Sequence, residues 1–254
     1  ERERVAALPK LPAPINWHAL YDRESTASWL VEDLWPEGRQ LHIFAARKTG
    51  KSLVMLWMAA CLAAGRDPFT GRPQPPVRVV YLDYEMTEDD LLERLEEMDF
   101  AANDLVNLSY YLWPPIAPLD TAEGGRTLME IVRRDAAVAV VLDTVSRVVQ
   151  GEENSADTFR DFYRNTGMLL KAEGIALARL DHEGHEGGRS RGSSAKADDV
   201  EMVSVSAAGD SIACSELPSS AGACGSSEIA SIAICLRCSA RASTSGCAAP
   251  VSFR

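Results

Sequence analysis

QLHIFAARKTGKSLVMLWMAA, residues 40–60, decides the fold. Gln40 to Ala45 is a compact apolar run, the pattern of a buried strand. Ser52 to Ala64 is apolar on nearly every face and stops at Gly65, as a helix covered on both sides would. Between them lies a short polar turn, Ala46-Arg47-Lys48-Thr49-Gly50-Lys51-Ser52-Leu53. A helix start turns free backbone N–H groups and the positive end of the helix dipole toward an anion. A lysine that reaches the terminal phosphates and a hydroxyl for Mg²⁺ complete a phosphate-binding loop. Gly50, Lys51 and Ser52 supply these in the required order, so residues 46–53 are the candidate nucleotide-binding set. The first position of the motif is Ala45 rather than glycine. A methyl group is the smallest departure, and it is tolerated where the backbone keeps negative φ. Chance occurrence of Gly-Lys-Ser in an ordinary strand–turn–helix is disfavoured by both flanks.

Outward from this corner the same alternation recurs. VRVVYLDYE (77–85) predicts a second buried strand, and Thr87 with Asp90 a capping box opening a helix whose apolar face is Leu91, Leu92, Leu95 and Met98. LSYYLW (108–113) predicts a strand, Thr121 to Arg134 a helix, and AVAVVLD (137–143) a third buried strand. Thr158 to Ala172 predicts a helix, IALARLD (175–181) a strand, and DVEMVSV (199–205) a last strand. Continuous apolar strands alternating with helices predict an α/β fold, a parallel sheet covered on both faces. On the N-terminal side, LPKLPAPINWHAL (8–20) predicts extended chain with Trp17 anchored on the core. STASWLVEDLWP (25–36) predicts a short helix ended by Pro36.

A nucleotide hydrolase needs one carboxylate near Mg²⁺ and another to activate water, both at C-terminal strand ends. Asp143 closes VAVVLDT and Glu85 follows VVYLDYE. Strand alternation places Asp83 on the face of Glu85, so the two are expected to converge. Farther on, LDHEGHEGGRSRGSSAKADD (180–199) combines a strand end with a Gly-rich polar loop. Asp181, His182, His185 and Glu186 there have a spacing permissive for a metal, but nothing in a Gly-rich loop fixes the ligands.

WLVEDLWPEGRQLHIFAARKTGKS, VVYLDYEMTEDDLLERL, VVLDTVSRV and LDHEGHEGGRSRGSSAKADDV together span Trp29 to Val200. In content and order they resemble the RepA-like AAA-domain ATPases of plasmids, phages and integrated elements, within the RecA-type group. The resemblance implies a RecA-like P-loop NTPase core, ATP with Mg²⁺, and a homo-oligomeric ring serving DNA replication. It implies that Lys51 and Ser52 grip phosphate and metal, that Asp143 holds the Mg²⁺ shell, and that Glu85 polarises water. It also implies that His182 senses the γ-phosphate. Arg189, Arg191 and Lys196 would face the ring channel or a neighbouring subunit, Arg191 being the choice for an arginine delivered in trans.

At 254 residues and a net charge of −11, the chain has room for one large α/β domain and lacks a broad basic surface for duplex DNA. No apolar run approaches a membrane span and no signal-peptide core is present, which makes a cytoplasmic protein the expectation. The opening on Glu1 suggests that the natural start lies upstream. Residues 1–38 read as a lead-in, 39–204 as the ATPase core and 205–254 as a tail of different character. That tail holds twelve serines, eleven alanines and five of the six cysteines. Cys235-Leu-Arg-Cys238 lacks the second ligand pair of a structural zinc site, and a disulfide framework does not suit a cytoplasmic chain. A low-complexity segment or an out-of-frame translation fits the abrupt shift. Three functions remain open from these residues. They are a DNA-acting ATPase motor of a mobile element, a non-motor nucleotide switch, and a small-molecule kinase with GGRSRGSSAK as lid. No platform of aromatic and basic residues for single strands is evident.

Overall fold

A computed structural model describes residues 13–22, 28–45, 50–152, 155–182 and 202–203. The chain enters through a one-turn helix, α1 (Trp17–Tyr21), whose N-cap Asn16 accepts a hydrogen bond from the Ala19 amide. Trp17 is not an anchor: it is 63% exposed, and no residue of α1 is buried. The expected helix before Pro36 is instead a hairpin of β1 (Trp29–Val31) and β2 (Trp35–Pro36), paired antiparallel. Asp33 takes φ 61° in its turn, and Leu30, Val31, Leu34 and Trp35 are buried. A tight turn that puts four apolar side chains on the core wins over helix periodicity in so short a segment.

The strand β3 (Gln40–Ala45) feeds α2 (Lys51–Ala63). All of α2 but Ser52 and Leu53 is buried, because the sheet lies on one side while the hairpin and Ala102–Leu105 cover other faces. Gly65, at φ 71°, ends it; a β-carbon there would stand 2.8 Å from the Gln74 carbonyl. β4 (Val79–Asp83) is buried throughout. Thr87 and Asp90 form the expected capping box of α3 (Glu88–Glu97). Leu91, Leu95 and Met98 pack inward as expected, but Leu92 is 58% exposed. β5 (Leu108–Leu112), α4 (Ala122–Asp135, capped by Thr121), β6 (Ala139–Asp143) and the single turn α5 (Val145–Val148) follow. The helix expected over 158–172 is three pieces: α6 (Ala156–Phe162), a π turn (Tyr163–Gly167) and α7 (Met168–Ala172). β7 (Ala176–His182) and the two-residue β8 (Met202–Val203) complete the described chain.

The strand order is β5-β4-β6-β7-β3-β8, every neighbouring pair parallel. This is the expected α/β fold, with the organisation of a RecA-like P-loop core. One hydrophobic cluster lies between the sheet and α2, the other between its opposite face and α4 with the α6–α7 region. Because all strands run one way, the ends of β3, β4, β6 and β7 share a rim, with Asp83 beside Asp143 and Ala45 beside His182 in register. No helix among the described residues is long and apolar enough to cross a membrane.

Candidate active site

A cleft of about 710 Å³ opens on that rim. Its walls are the start of α2 (Gly50 to Leu53), the β4–α3 turn (Tyr84 to Met86), one face of α3, and the residues closing β6 and β7. Ligand crevices of open parallel sheets form at this end, where helix N-termini and strand-end side chains converge.

Gly50 caps α2 in the left-handed region (φ 79°), a conformation that costs glycine nothing, and so launches the helix directly into the cleft. Ala45 ends β3 in extended backbone, as its substitution for glycine requires. Ala46, Arg47, Lys48 and Thr49 lie outside the described residues. Lys51 is almost wholly buried, 8% exposed, and its Nζ lies 3.0 Å from His182 Nδ1. An ammonium group only donates, so His182 meets it with a bare Nδ1 and carries its proton on Nε2. That Nε2 stands 3.8 Å from Glu85 Oε1. Lys51, His182 and Glu85 thus form one chain of polar groups across the cleft.

The floor is acidic. Ser52 donates its hydroxyl to Asp143 Oδ1 at 3.2 Å, and the Tyr81 hydroxyl donates to Asp143 Oδ2 at 3.0 Å. Asp143 is 1% exposed; burial, with the charge of Asp83 next, pushes its carboxyl up to about 7. Hydrogen bonds from Ser52 and Tyr81 pull the other way. Tyr81 stacks on Tyr110 at 4.6 Å, and burial raises both phenols well above their ordinary range. Tyr110 donates to Asp83 Oδ2 at 2.6 Å.

Asp83 and Glu85 do not converge as alternation suggests. β4 ends at Asp83, whose Oδ1 accepts the amides of Glu85 (2.7 Å) and Met86 (3.2 Å). Asp83 is fully buried and shapes the turn, leaving Glu85 alone to line the cleft. Thr144 Oγ1 stands 3.5 Å from Glu85 Oε1, and the Asp143–Thr144 peptide is cis. The metal quartet considered at the C-terminal motif also separates. Asp181 is buried against His42, with 3.6 Å between their charged atoms, whereas its strand neighbour His182 faces the cleft. His185, Glu186, Arg189, Arg191, Lys196 and the tail cysteines lie outside the described residues.

Of the sequence candidates, Gly50, Lys51, Ser52, Leu53, Glu85, Asp143 and His182 therefore line a single cleft. Sequence reasoning missed Tyr81, Tyr84, Met86, Arg94, Trp113 and Arg147. Tyr81 was within reach, because alternation on the strand Val79–Asp83 puts it on the face of Asp83. The others come together only through strand order, which no local pattern carries.

A family model described as an AAA domain matches residues 5–188, well over half of the chain. No curated protein matches it.

Proposed function

The chain belongs to the AAA-domain family, and we propose that it is a Mg²⁺-dependent ATPase of the RecA-type motor class, helicase-like and serving DNA replication of a mobile element. One observation carries the reading: Lys51, Ser52, Asp143, Glu85 and His182, from five separate segments, line one cleft at the strand ends. In this account residues 39–204 form the working core, in the cytoplasm, assembled as a homo-oligomeric ring. Ala46 to Leu53 cradle the phosphates, and Lys51 leaves His182 to meet the terminal ones.

The hard oxygens of Ser52 and Asp143 suit Mg²⁺. A deeply buried carboxylate beside a second buried one, with its proton affinity raised toward neutrality, is an environment that a cation relieves. When bound, the ion neutralises charge on the β- and γ-phosphate oxygens. Glu85 takes a proton from water as its oxygen bonds to the γ-phosphorus and the bond to the ADP oxygen breaks. Loss of the Lys51 contact frees His182 Nδ1, so His182 registers the terminal phosphate. Arg191 of a neighbouring copy supplies further positive charge to the transferring group.

The test is phosphate release from Mg²⁺-ATP with and without single-stranded DNA, together with sedimentation in both states. DNA-stimulated turnover by an oligomer is expected. ATP binding without turnover would overturn the motor reading in favour of a switch.

A further inference from the structure

No local run of the sequence builds a platform for single strands, but the fold assembles one from four segments. β5 stands at the sheet edge, separated from β3 by β4, β6 and β7. On that side, past Glu85, the cleft continues along Tyr84, Met86 and Trp113, with Arg94 reaching in from α3 and Arg147 from α5. Trp113 has φ 49°, uncommon for so bulky a residue, and such conformations persist where surroundings impose them. Its backbone amide donates to the Asp83 carbonyl at 2.8 Å, and its indole Nε1 donates to the Met86 carbonyl at 2.9 Å. Tyr84 meets its ring edge-on at 6.2 Å, itself tied to the Pro114 carbonyl. The indole is thus pinned, yet 52% of the residue remains exposed. A rigid, exposed aromatic in a cleft with two guanidinium groups suits a flat base flanked by phosphates.

We propose that this compartment binds a base of single-stranded nucleic acid by stacking on Trp113, with Arg94 and Arg147 meeting the adjacent phosphates. The proposal rests on the DNA-acting reading above and gives the strand its place. It also supplies a coupling. Trp113 Nε1 holds the carbonyl of Met86, the residue after Glu85, so an occupant that shifts the indole shifts the water-activating carboxylate.

Charge limits the contact. α3 carries Glu88, Asp89, Asp90, Glu93, Glu96 and Glu97 against Arg94 alone, so a long phosphate backbone is repelled. Asp90 faces the same compartment, but Thr87 occupies its Oδ2 through both amide and hydroxyl. Two phosphate contacts on a single strand give a slope of log K against log salt of about −1.4, far shallower than a basic groove gives.

Fluorescence anisotropy of a labelled oligothymidylate with the full chain, measured without ATP, tests this directly. Trp113→Ala is expected to weaken binding about ten-fold or more, and Trp113→Phe, which keeps a ring, to stay within about three-fold of the parent. Arg94→Gln combined with Arg147→Gln flattens the salt dependence toward zero. Thermal midpoints monitor folding of each variant. Absence of oligonucleotide binding, or binding indifferent to Trp113→Ala, overturns the proposal. So does equal competition by thymidine monophosphate, which would mark a small-acceptor pocket. Dissociation of an oligomer by Trp113→Ala with oligonucleotide affinity unchanged would make the compartment a subunit contact instead. Failure of ATP turnover in the parent chain would sink the motor reading, but this ATP-free binding measurement would still decide the stacking site.

Discussion

Asp143 shows how much of the site is set by a single buried charge. Its carboxyl is raised to about 7 by burial and Asp83, so the ligand-free folded chain holds a proton that the unfolded chain releases near pH 4. The folded state binds more protons between these values, and the Asp143 contribution to stability falls as pH rises from about 4 to about 7. Replacing it by the neutral isostere removes that slope. Asp143→Asn in the metal-free chain is expected to be more stable than the parent at pH 8 by roughly 2 kcal/mol, and to match it near pH 4. Urea unfolding at the two pH values checks this; an equal difference at both would contradict it. At this scale the sequence was most legible. Lys51, Ser52, Glu85, Asp143 and His182 carry chemistry at strand or helix ends, and their neighbours in sequence announce those ends. Asp83 misled because alternation was carried past the end of its strand.

The joint between α4 and the π turn rests on close backbone contact. A β-carbon on Gly124 would lie 2.1 Å from the Pro118 carbonyl, and one on Gly125 would lie 1.8 Å from the Asn165 carbonyl. Asn165 and Thr166 donate from that turn to the carbonyls of Asp120 and Leu119. Two glycines in a first helical turn, unfavourable by propensity, are explained by that approach. Gly125→Ala is expected to destabilise the fold by about 3 kcal/mol, because backbone rather than a yielding side chain blocks the methyl group. An unfolding midpoint within error of the parent would show that the joint relaxes. The elements legible beforehand were long apolar runs with caps, such as α2, α4 and β6. The misread ones were short: WLVEDLWP fits a helix or a hairpin by periodicity, and the left-handed Asp33 turn with its buried tryptophan decides. Trp17 has nothing in its neighbourhood of sequence to reveal that its helix stays exposed.

For the whole molecule the decisive fact is strand order. β7 stands between β3 and β6, bringing His182 beside the start of α2 and leaving Glu85 and Trp113 on the far side of Asp143. Alternating strands and helices announce a parallel sheet, but the order depends on which faces pack, and that is where Trp113, Arg94 and Arg147 went unseen. A ligand that bridges so many segments should stabilise them together. Mg²⁺-ATP at a hundred times its dissociation constant contributes about 2.7 kcal/mol, raising the thermal midpoint by roughly 5–10 °C for a domain of this size. Lys51→Ala should abolish that shift, and a full shift in the variant would remove Lys51 from phosphate binding. The central claim is that Glu85 activates water on a nucleotide held by the α2 corner, and single-turnover hydrolysis with a parallel ATP-binding isotherm tests it most directly. Glu85→Gln is expected to slow hydrolysis by at least about a hundred-fold while ATP binding stays within about three-fold. Hydrolysis at the parent rate by Glu85→Gln would contradict the account.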